Sequence, residues 1–374
     1  MNEALKELIP QLEQARKSAD AVPWTPDTPH AQSIYSFDSD TQSWKATPSY
    51  QLTSPSPSPS PNSSTTAAIT KLALFSWNID FMLPYARARM EAGLSELERQ
   101  ITSLPASTAS VIFLQECVPE DLETIGATPW VRRGFLRTDV DSSEWASRMY
   151  GTTTLVDKRV GVGGVFRVHY GLTRMERDGL FVDVVFPSLS QDKDKESGDG
   201  GSDGDEVGEK GGKKGGKNGR KIIRFCNTHL ESLAVDPPYR PPQVALAAKF
   251  MHEESVHGAL LAGDLNAIQP FDRTLHSANN LRDAYLELGG REDSEEGYTW
   301  GQQAPPQLRE MYGCSRMDKV FYCGGVAVER FARFGADVEV EGEEEREAIL
   351  KWGGFEKAWI TDHLGVFAEV GVVD

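Results

Sequence analysis

The sequence predicts an α/β fold. Short apolar runs of strand length recur along the chain and end in polar residues. Segments with helical spacing lie between some of them. The chain centres on Leu260-Leu261-Ala262-Gly263-Asp264-Leu265-Asn266, an apolar run that stops at Gly-Asp-x-Asn. A continuous run of this length suits a strand buried on both faces, and the glycine lets the backbone turn. Asp264 and Asn266 are two residues apart, so at a strand end they project to one side. A carboxylate there can take a proton from water, and an amide can hold that water or a phosphate oxygen. By itself the stretch also fits an Asx turn closing a strand; the other strand ends decide.

The 374 residues suffice for one large domain or two ordinary ones, and 39% hydrophobic residues allow a sizeable core. A net charge of -17 argues against a non-specific polyanion coat, though not against a local basic groove or a metal site with acidic walls. Cys117, Cys226, Cys314 and Cys323 form no C-x-x-C pair, which predicts a reducing compartment with neither a disulfide framework nor a zinc site. Met1-Asn2-Glu3-Ala4 opens no signal peptide, and no apolar run approaches a membrane span of about 18 residues. An intracellular, nuclear or cytoplasmic protein is expected, monomeric and not secreted.

In chain order, residues 3–17 read as a short amphipathic helix interrupted by Pro10, and Trp24, Tyr35, Phe37 and Trp44 remain unassigned aromatics. Residues 54–65 are a Ser/Pro repeat, an extended linker that cannot bury a core. Residues 1–70 are therefore expected to be a largely disordered extension, with the folded domain at 71–374. That domain starts with the strand Leu72 to Asn78, then a helix at 86–104 with one stripe of Met90, Leu94, Leu97, Ile101 and Leu104. Strands follow at 111–114, ending at Gln115-Glu116, and at 151–156, 163–170, 179–186 and 221–228. The segment 188–220 carries acids first and bases second with almost no apolar residues, so it reads as a disordered insert in a hairpin loop. A helix at 241–257 precedes the central run, and late elements fall at 298–300, 316–322 and 359–370.

Six strand ends thus carry polar residues: Asn78, Glu116, His229, Asp264 with Asn266, Asp318, and Asp362 with His363. Their number suggests that the strands converge on one rim, where ligands of open sheets bind. Carboxylates, amides and water are hard oxygen ligands suited to Mg²⁺. A metal with two imidazoles can stabilise charge building on a pentavalent phosphorus.

Ser76-Trp77-Asn78, Leu114-Gln115-Glu116, Thr228-His229-Leu230, Gly263-Asp264-Leu265-Asn266, Arg316-Met317-Asp318 and Thr361-Asp362-His363 resemble, in order, the endonuclease/exonuclease/phosphatase superfamily. The resemblance implies a four-layered α/β sandwich, DNase I-like, of two packed mixed sheets flanked by helices. Within the superfamily, Thr228-His229-Leu230-Glu231-Ser232 followed by Arg240 and Gln243, together with Tyr298-Thr299-Trp300 and Tyr150, is similar to the 5′-tyrosyl-DNA phosphodiesterase branch. Two positions depart from it: Ile268 stands where that branch commonly has arginine, and Thr361 where it has serine.

The resemblance implies roles. Glu116 would bind Mg²⁺, or Mn²⁺ in its place, supported by Asn78, with Asp362 near the metal or its waters. Asp264 would activate water and Asn266 orient it. His229 and His363 would contact the scissile phosphate, and Asp318 would hold the His363 tautomer. Ser232, Arg240, Trp300 and Tyr150 would line the substrate groove. The implied activity is a Mg²⁺-dependent phosphodiesterase on nucleic-acid ends, hydrolysing 5′-tyrosyl-DNA bonds in DNA repair. The alternatives on the same fold are a phosphoinositide phosphatase, a sphingomyelin phosphodiesterase and an RNA deadenylase.

Overall fold

Alternation inside the apolar runs sorts their side chains into separate cores. The strand Lys71–Asn78 sends Leu72 and Leu74 into the space between two sheets. Its Ala73, Phe75 and Trp77 face outward, where the helix Ala86–Thr102 covers them with Met90, Leu94 and Leu97. Gly258–Asp264 repeats the scheme: Leu260 and Ala262 face the other sheet, while Ala259 and Leu261 meet Val244 and Ala247 of the helix Arg240–Met251. Burial on both faces explains why these strands read as unbroken apolar runs. Each such Leu, Val or Phe contributes about 1.5–3 kcal/mol. The result is a four-layered α/β sandwich of helix, sheet, sheet and helix.

A computed structural model describes residues 24–47, 68–147, 149–187 and 220–374. Its strands are β1 (Pro29–Ala31), β2 (Ile34–Asp38), β3 (Ser43–Thr47), β4 (Lys71–Asn78) and β5 (Thr108–Cys117). Next come β6 (Phe135–Arg137), β7 (Gly151–Asp157), β8 (Gly161–His169), β9 (Asp178–Pro187) and β10 (Arg220–Thr228). The last are β11 (Gly258–Asp264), β12 (Arg282–Asp283), β13 (Asp318–Gly324), β14 (Val326–Phe334) and β15 (Gly365–Val372). One sheet runs β1-β8-β9-β10-β11-β13-β12 and the other β14-β15-β4-β5-β7-β6-β2-β3.

Each sheet holds one parallel pair, β4 with β5 and β10 with β11. Parallel neighbours need a crossover, supplied by the helices Ala86–Thr102 and Arg240–Met251. The carboxyl ends of these four strands therefore share one rim. The antiparallel neighbours β13 and β15 bring their amino ends to that rim, with Asp318 opposite Asp264 and Val366 opposite Ser76.

The structure departs from the sequence reading at several places. The extension expected outside the domain contributes strands to it: β1 edges one sheet against β8, and the β2–β3 hairpin edges the other. Short strands with few apolar residues carry little periodicity, which hid them. β14 escaped notice for another reason: Glu329, Arg330 and Arg333 break up its apolar residues. Trp300 forms only isolated bridges to Ser315 and His363, and residues 359–364 form a loop before β15. The helix expected at 3–17, the Ser/Pro linker and the insert through residue 219 lie outside the described residues.

Gly263 serves close approach as much as turning. Its φ is +149°, and a Cβ there would sit 1.7 Å from the Thr228 carbonyl oxygen on β10. Gly263→Ala is expected to force β10 and β11 apart and to cost about 2–4 kcal/mol, from overpacking and backbone strain together. Urea unfolding followed by tryptophan fluorescence measures this; a loss under about 0.5 kcal/mol would show that the strand pair relaxes freely.

Candidate active site

Asp264 is the point on which the rim converges. Buried at the end of β11, its carboxylate accepts from Asn78 Nδ2 at 3.0 Å and from the Asn266 backbone N–H at 2.8 Å. His229 Nε2 stands 3.3 Å from it and His363 Nε2 3.6 Å. Burial pushes the Asp264 carboxyl up, but the His363 charge, the His229 contact and the Asn266 N–H hold it well below the usual carboxylate range. It is therefore an anion at neutral pH.

The two imidazoles are held differently. His363 Nδ1 lies 2.8 Å from Asp318 Oδ2, so Nδ1–H donates to the carboxylate and Nε2 is left toward Asp264. Asp318 is itself set by its backbone N–H, which donates to Thr299 Oγ1 at 3.0 Å. The loop carrying His363 is fastened by Trp77 Nε1, which donates to the His363 carbonyl at 3.0 Å. Thr361 does the work expected of a serine: its hydroxyl donates to the Asn78 carbonyl and accepts from the His363 N–H. His229 Nδ1 instead meets Arg177 Nη1 at 2.7 Å. A guanidinium only donates, so Nδ1 accepts and the ring proton sits on Nε2, toward Asp264. The Asn266 amide nitrogen lies 2.9 Å from the same Nε2 and donates to the Leu230 carbonyl at 3.0 Å.

Further carboxylates stand beside these imidazoles: Glu116 Oε1 is 3.7 Å from His229 Nδ1, and Asp362 Oδ1 is 3.8 Å from His363 Nε2. Glu116, Asp80 and Asp362 line one cleft of about 740 Å³ with Asp264, His229 and His363. Glu116 has φ +57° at a register shift in the β5–β7 ladder, a bulge that re-aims its side chain. Its Oε2 accepts from the Phe81 N–H at 3.1 Å. Asp362 accepts from Trp300 Nε1 at 2.7 Å. Burial, then the charges of Asp362 and Glu116, push the Asp80 carboxyl up to about 8. Three carboxylates that repel one another in a buried cleft fit a hard divalent cation that keeps several waters. Asp264, Asp318 and His363 also present ligand atoms within 4.8 Å of one another. Asp318 and His363 are hydrogen-bonded to each other and Asp318 is fully buried.

Several expected residues stand otherwise than the resemblance implies. Asn78 sits behind the cleft: its Nδ2 donates to Asp264 and its Oδ1 accepts from the Asp80 N–H at 2.9 Å, so it positions two carboxylates. Ser232 and Trp300 do line the cleft, and Ile268 lies beside them. Arg240 does not. It is 2% exposed, bonded to Asp272 at 2.9 and 2.8 Å and to the carbonyls of Glu231 and Leu233. It holds the loop that carries Ser232. Tyr150 is also withdrawn: stacked on Phe81 at 4.3 Å, it donates its hydroxyl to the Met175 carbonyl at 2.8 Å. It lines a small space behind Glu116 and His229. Asp80 and Arg177 were missed by the sequence reading. Asp80 follows Asn78 by two residues, the spacing of Asp264 and Asn266, so a signal existed; Arg177 sits in an irregular stretch with none.

Two packed mixed sheets, with carboxylates and imidazoles converging on a cleft at their common rim, define a phosphoric-ester hydrolase. The chain belongs to the Endonuclease/Exonuclease/phosphatase family, whose model matches residues 75–363. Among solved structures it is similar to D. rerio TDP2 complexed with single strand DNA product, at 18% identity and TM-score 0.52, covering 81% of this chain and 99% of that one. It is likewise similar to TDP2 from C. elegans, at 17% identity and TM-score 0.53, covering 81% and 75%. A mannosyl-6-phosphatase from Bacteroides thetaiotaomicron aligns at 16% identity and TM-score 0.50, covering 80% and 99%. These likenesses show the fold. No curated protein matches the chain. Among the described residues no helix is long and apolar enough to cross a membrane.

Two outcomes test this arrangement. Arg240→Ala leaves Asp272 buried without its partner and is expected to cost about 3–5 kcal/mol in denaturant unfolding. A loss of substrate affinity at full stability would return Arg240 to the groove. The second concerns pH. Burial favours the neutral His363 ring, but Asp318, Asp264 and Asp362 overcome it and raise its pKa well above the ordinary histidine value. A raised histidine contributes stability that is complete below about pH 6.5 and is lost as pH rises through the folded value. Melting temperature in EDTA is therefore expected to fall from neutral to alkaline pH, and His363→Gln to flatten that limb. Equal slopes in the two proteins would contradict the pairing.

Proposed function

We propose that the chain is a Mg²⁺-dependent phosphodiesterase that acts on nucleic-acid ends and hydrolyses 5′-tyrosyl-DNA phosphodiester bonds. The observation that carries this reading is the Asp264 carboxylate, an anion within 3.6 Å of two imidazoles and lining one cleft with three further carboxylates. The substrate follows from the likeness to the tyrosyl-DNA branch in Thr228-His229-Leu230-Glu231-Ser232, Trp300 and Tyr150, and from a structural neighbour that holds a single-stranded DNA product.

Asp264 takes the proton of the attacking water, and Asn266 fixes that water's position. His229 and His363 present Nε2–H groups to the phosphoryl oxygens as charge grows there. Asp318 accepts from His363 Nδ1–H and, with Asp264, favours the charged ring, whose Nε2–H then meets the cleft. Glu116, Asp80 and Asp362 would hold a divalent cation, which when bound supplies Lewis-acid stabilisation of the phosphoryl charge. Trp300, which lines the cleft, donates its indole N–H to Asp362 and so sets that carboxylate.

A second reading keeps the chemistry and changes the substrate to a phosphoinositide, sphingomyelin or a poly(A) tail. It is favoured by apolar side chains around the cleft: Ile268, Leu308 and Tyr312 are 39%, 39% and 68% exposed. The overall charge of -17 points the same way.

A substrate panel separates the readings. Purified protein with Mg²⁺ is expected to release tyrosine from 5′-phosphotyrosyl oligonucleotides. EDTA is expected to abolish the reaction, and Asp264→Asn to lower turnover by about 10³-fold or more while the circular dichroism spectrum stays native. Intact oligonucleotide beside hydrolysis of another phosphoester on the panel selects the second reading.

A further inference from the structure

The helix Ala86–Thr102 carries a fully buried arginine, Arg89, in its first turns. Side chains on a helix lean toward its N-terminus, so Arg89 reaches the loop that enters the helix. Its Nε donates to the Pro84 carbonyl at 2.9 Å and its Nη2 to the Leu83 carbonyl at 3.0 Å. Its Nη1 donates to the Ile79 carbonyl and, at 2.9 Å, to the Ile360 carbonyl. Ile79, Leu83 and Pro84 flank Asp80, and Ile360 lies two residues before Asp362. One guanidinium thus ties together the two loops that bring Asp80 and Asp362 to the cleft. Gly93, one helical turn further along, leaves room for the second loop: a Cβ there would stand 3.2 Å from Ile360 Cδ1. The Thr361 hydroxyl adds a single tie between the same loops, to the Asn78 carbonyl.

Burial works against the guanidinium charge, and the fields of Asp121, Asp80 and Glu116 favour it. Its hydrogen bonds, however, go to backbone, and backbone is what needs fixing here. Asp80, Asp362 and Glu116 are like charges in a buried cleft, and their repulsion pushes the loops that carry them apart. Opening the loops would strip donors from buried carbonyls, which is unfavourable. A planar fork also fixes the direction of each bond, which a point charge on a flexible stem does not. We propose that Arg89 is a positioning residue for the divalent cation, locking the loops of Asp80 and Asp362 together so that both carboxylates stand in the cleft with Glu116 before the ion binds. The proposal rests on reading those three carboxylates as the ligands of the ion. It makes cation affinity depend on a side chain that lies behind the cleft and touches neither ion nor substrate.

The test compares wild type, Arg89→Met, Arg89→Lys and Leu97→Ala. Leu97 is buried two turns further along the same helix, so its truncation loosens the fold without removing a tie to either loop. Mn²⁺ is the probe, with free ion read by electron paramagnetic resonance at a temperature where circular dichroism shows each protein folded. Hydrolysis of the p-nitrophenyl ester of thymidine 5′-phosphate at graded Mg²⁺ is the second readout. Arg89→Met is expected to weaken Mn²⁺ binding by about tenfold or more, and to raise the Mg²⁺ concentration for half-maximal rate by a similar factor. Arg89→Lys is expected to recover part of both, because it restores charge without the fork. Leu97→Ala is expected to bind Mn²⁺ as wild type does. If Arg89→Met does not fold, the lysine variant carries the comparison. Wild-type Mn²⁺ affinity in the Arg89 variants overturns the proposal. So does full recovery by lysine, which would leave a charge effect alone, and so does equal weakening in Leu97→Ala, which would leave general loosening. Absence of Mn²⁺ binding by wild type overturns it as well. Mn²⁺ binding that depends on Arg89, in a wild type that hydrolyses no phosphoester, would sink the hydrolase reading and leave the positioning role standing.

Discussion

The two sheets are pinned to each other by a buried amide pair directly beneath the cleft. Gln115 Nε2 donates to Ser76 Oγ at 3.1 Å within its own sheet and to Asn227 Oδ1 at 2.8 Å in the other. Asn227 Nδ2 returns to the first sheet through the Thr153 carbonyl at 2.9 Å. Apolar packing between sheets is non-directional and tolerates sliding. A buried amide does not, because an unmade hydrogen bond there costs about 1–3 kcal/mol. Glu116 is the next residue after Gln115, and His229 stands two beyond Asn227. The pair therefore sets the distance between Glu116 and His229, which face each other at 3.7 Å.

Electrostatics in the cleft fall into two halves. Around Asp264 the charges are complementary, and the carboxylate is held ionised by His363, His229 and backbone. Around Asp80 they are not, and its carboxyl is pushed up to about 8 by burial and by Asp362 and Glu116. Unrelieved repulsion is unfavourable for the protein alone and useful for binding a cation. Arg177 is buried against the imidazole: its Nη1 donates to His229 Nδ1, which also lies 3.7 Å from Glu116.

Support and contact are divided between residues that look alike in sequence. Arg177 and Arg240 are both buried, yet only Arg177 faces the cleft, because Asp272 claims Arg240. Tyr150 and Trp300 are both aromatic and near the site. Tyr150 is turned away by its bond to the Met175 carbonyl, whereas Trp300 reaches Asp362. The withdrawn pair holds the loop of Ser232 and the wall behind Glu116.

Fold class, the apolar strands and the rim were legible in the chain itself. Leu72 to Asn78, Leu260 to Asp264 and the strand end at His229 could be read because double burial and strand-end polarity leave periodic local signals. The ordered polar ends named Asp264, Asn266, His229, His363, Asp318 and Glu116, and the structure gathers all of them at one rim. Edge strands β1 to β3 were not legible, since a half-exposed strand takes its stability from its neighbour's hydrogen bonds and needs few apolar residues of its own. Neither were the orientations of Arg240, Tyr150 and Arg177. Sequence determines which side chains sit near the rim, because strand ends are a local property. Which of them faces solvent, and which is consumed by a buried partner, depends on residues such as Asp272 and Met175 that lie 25 to 32 positions away, and only tertiary packing decides that.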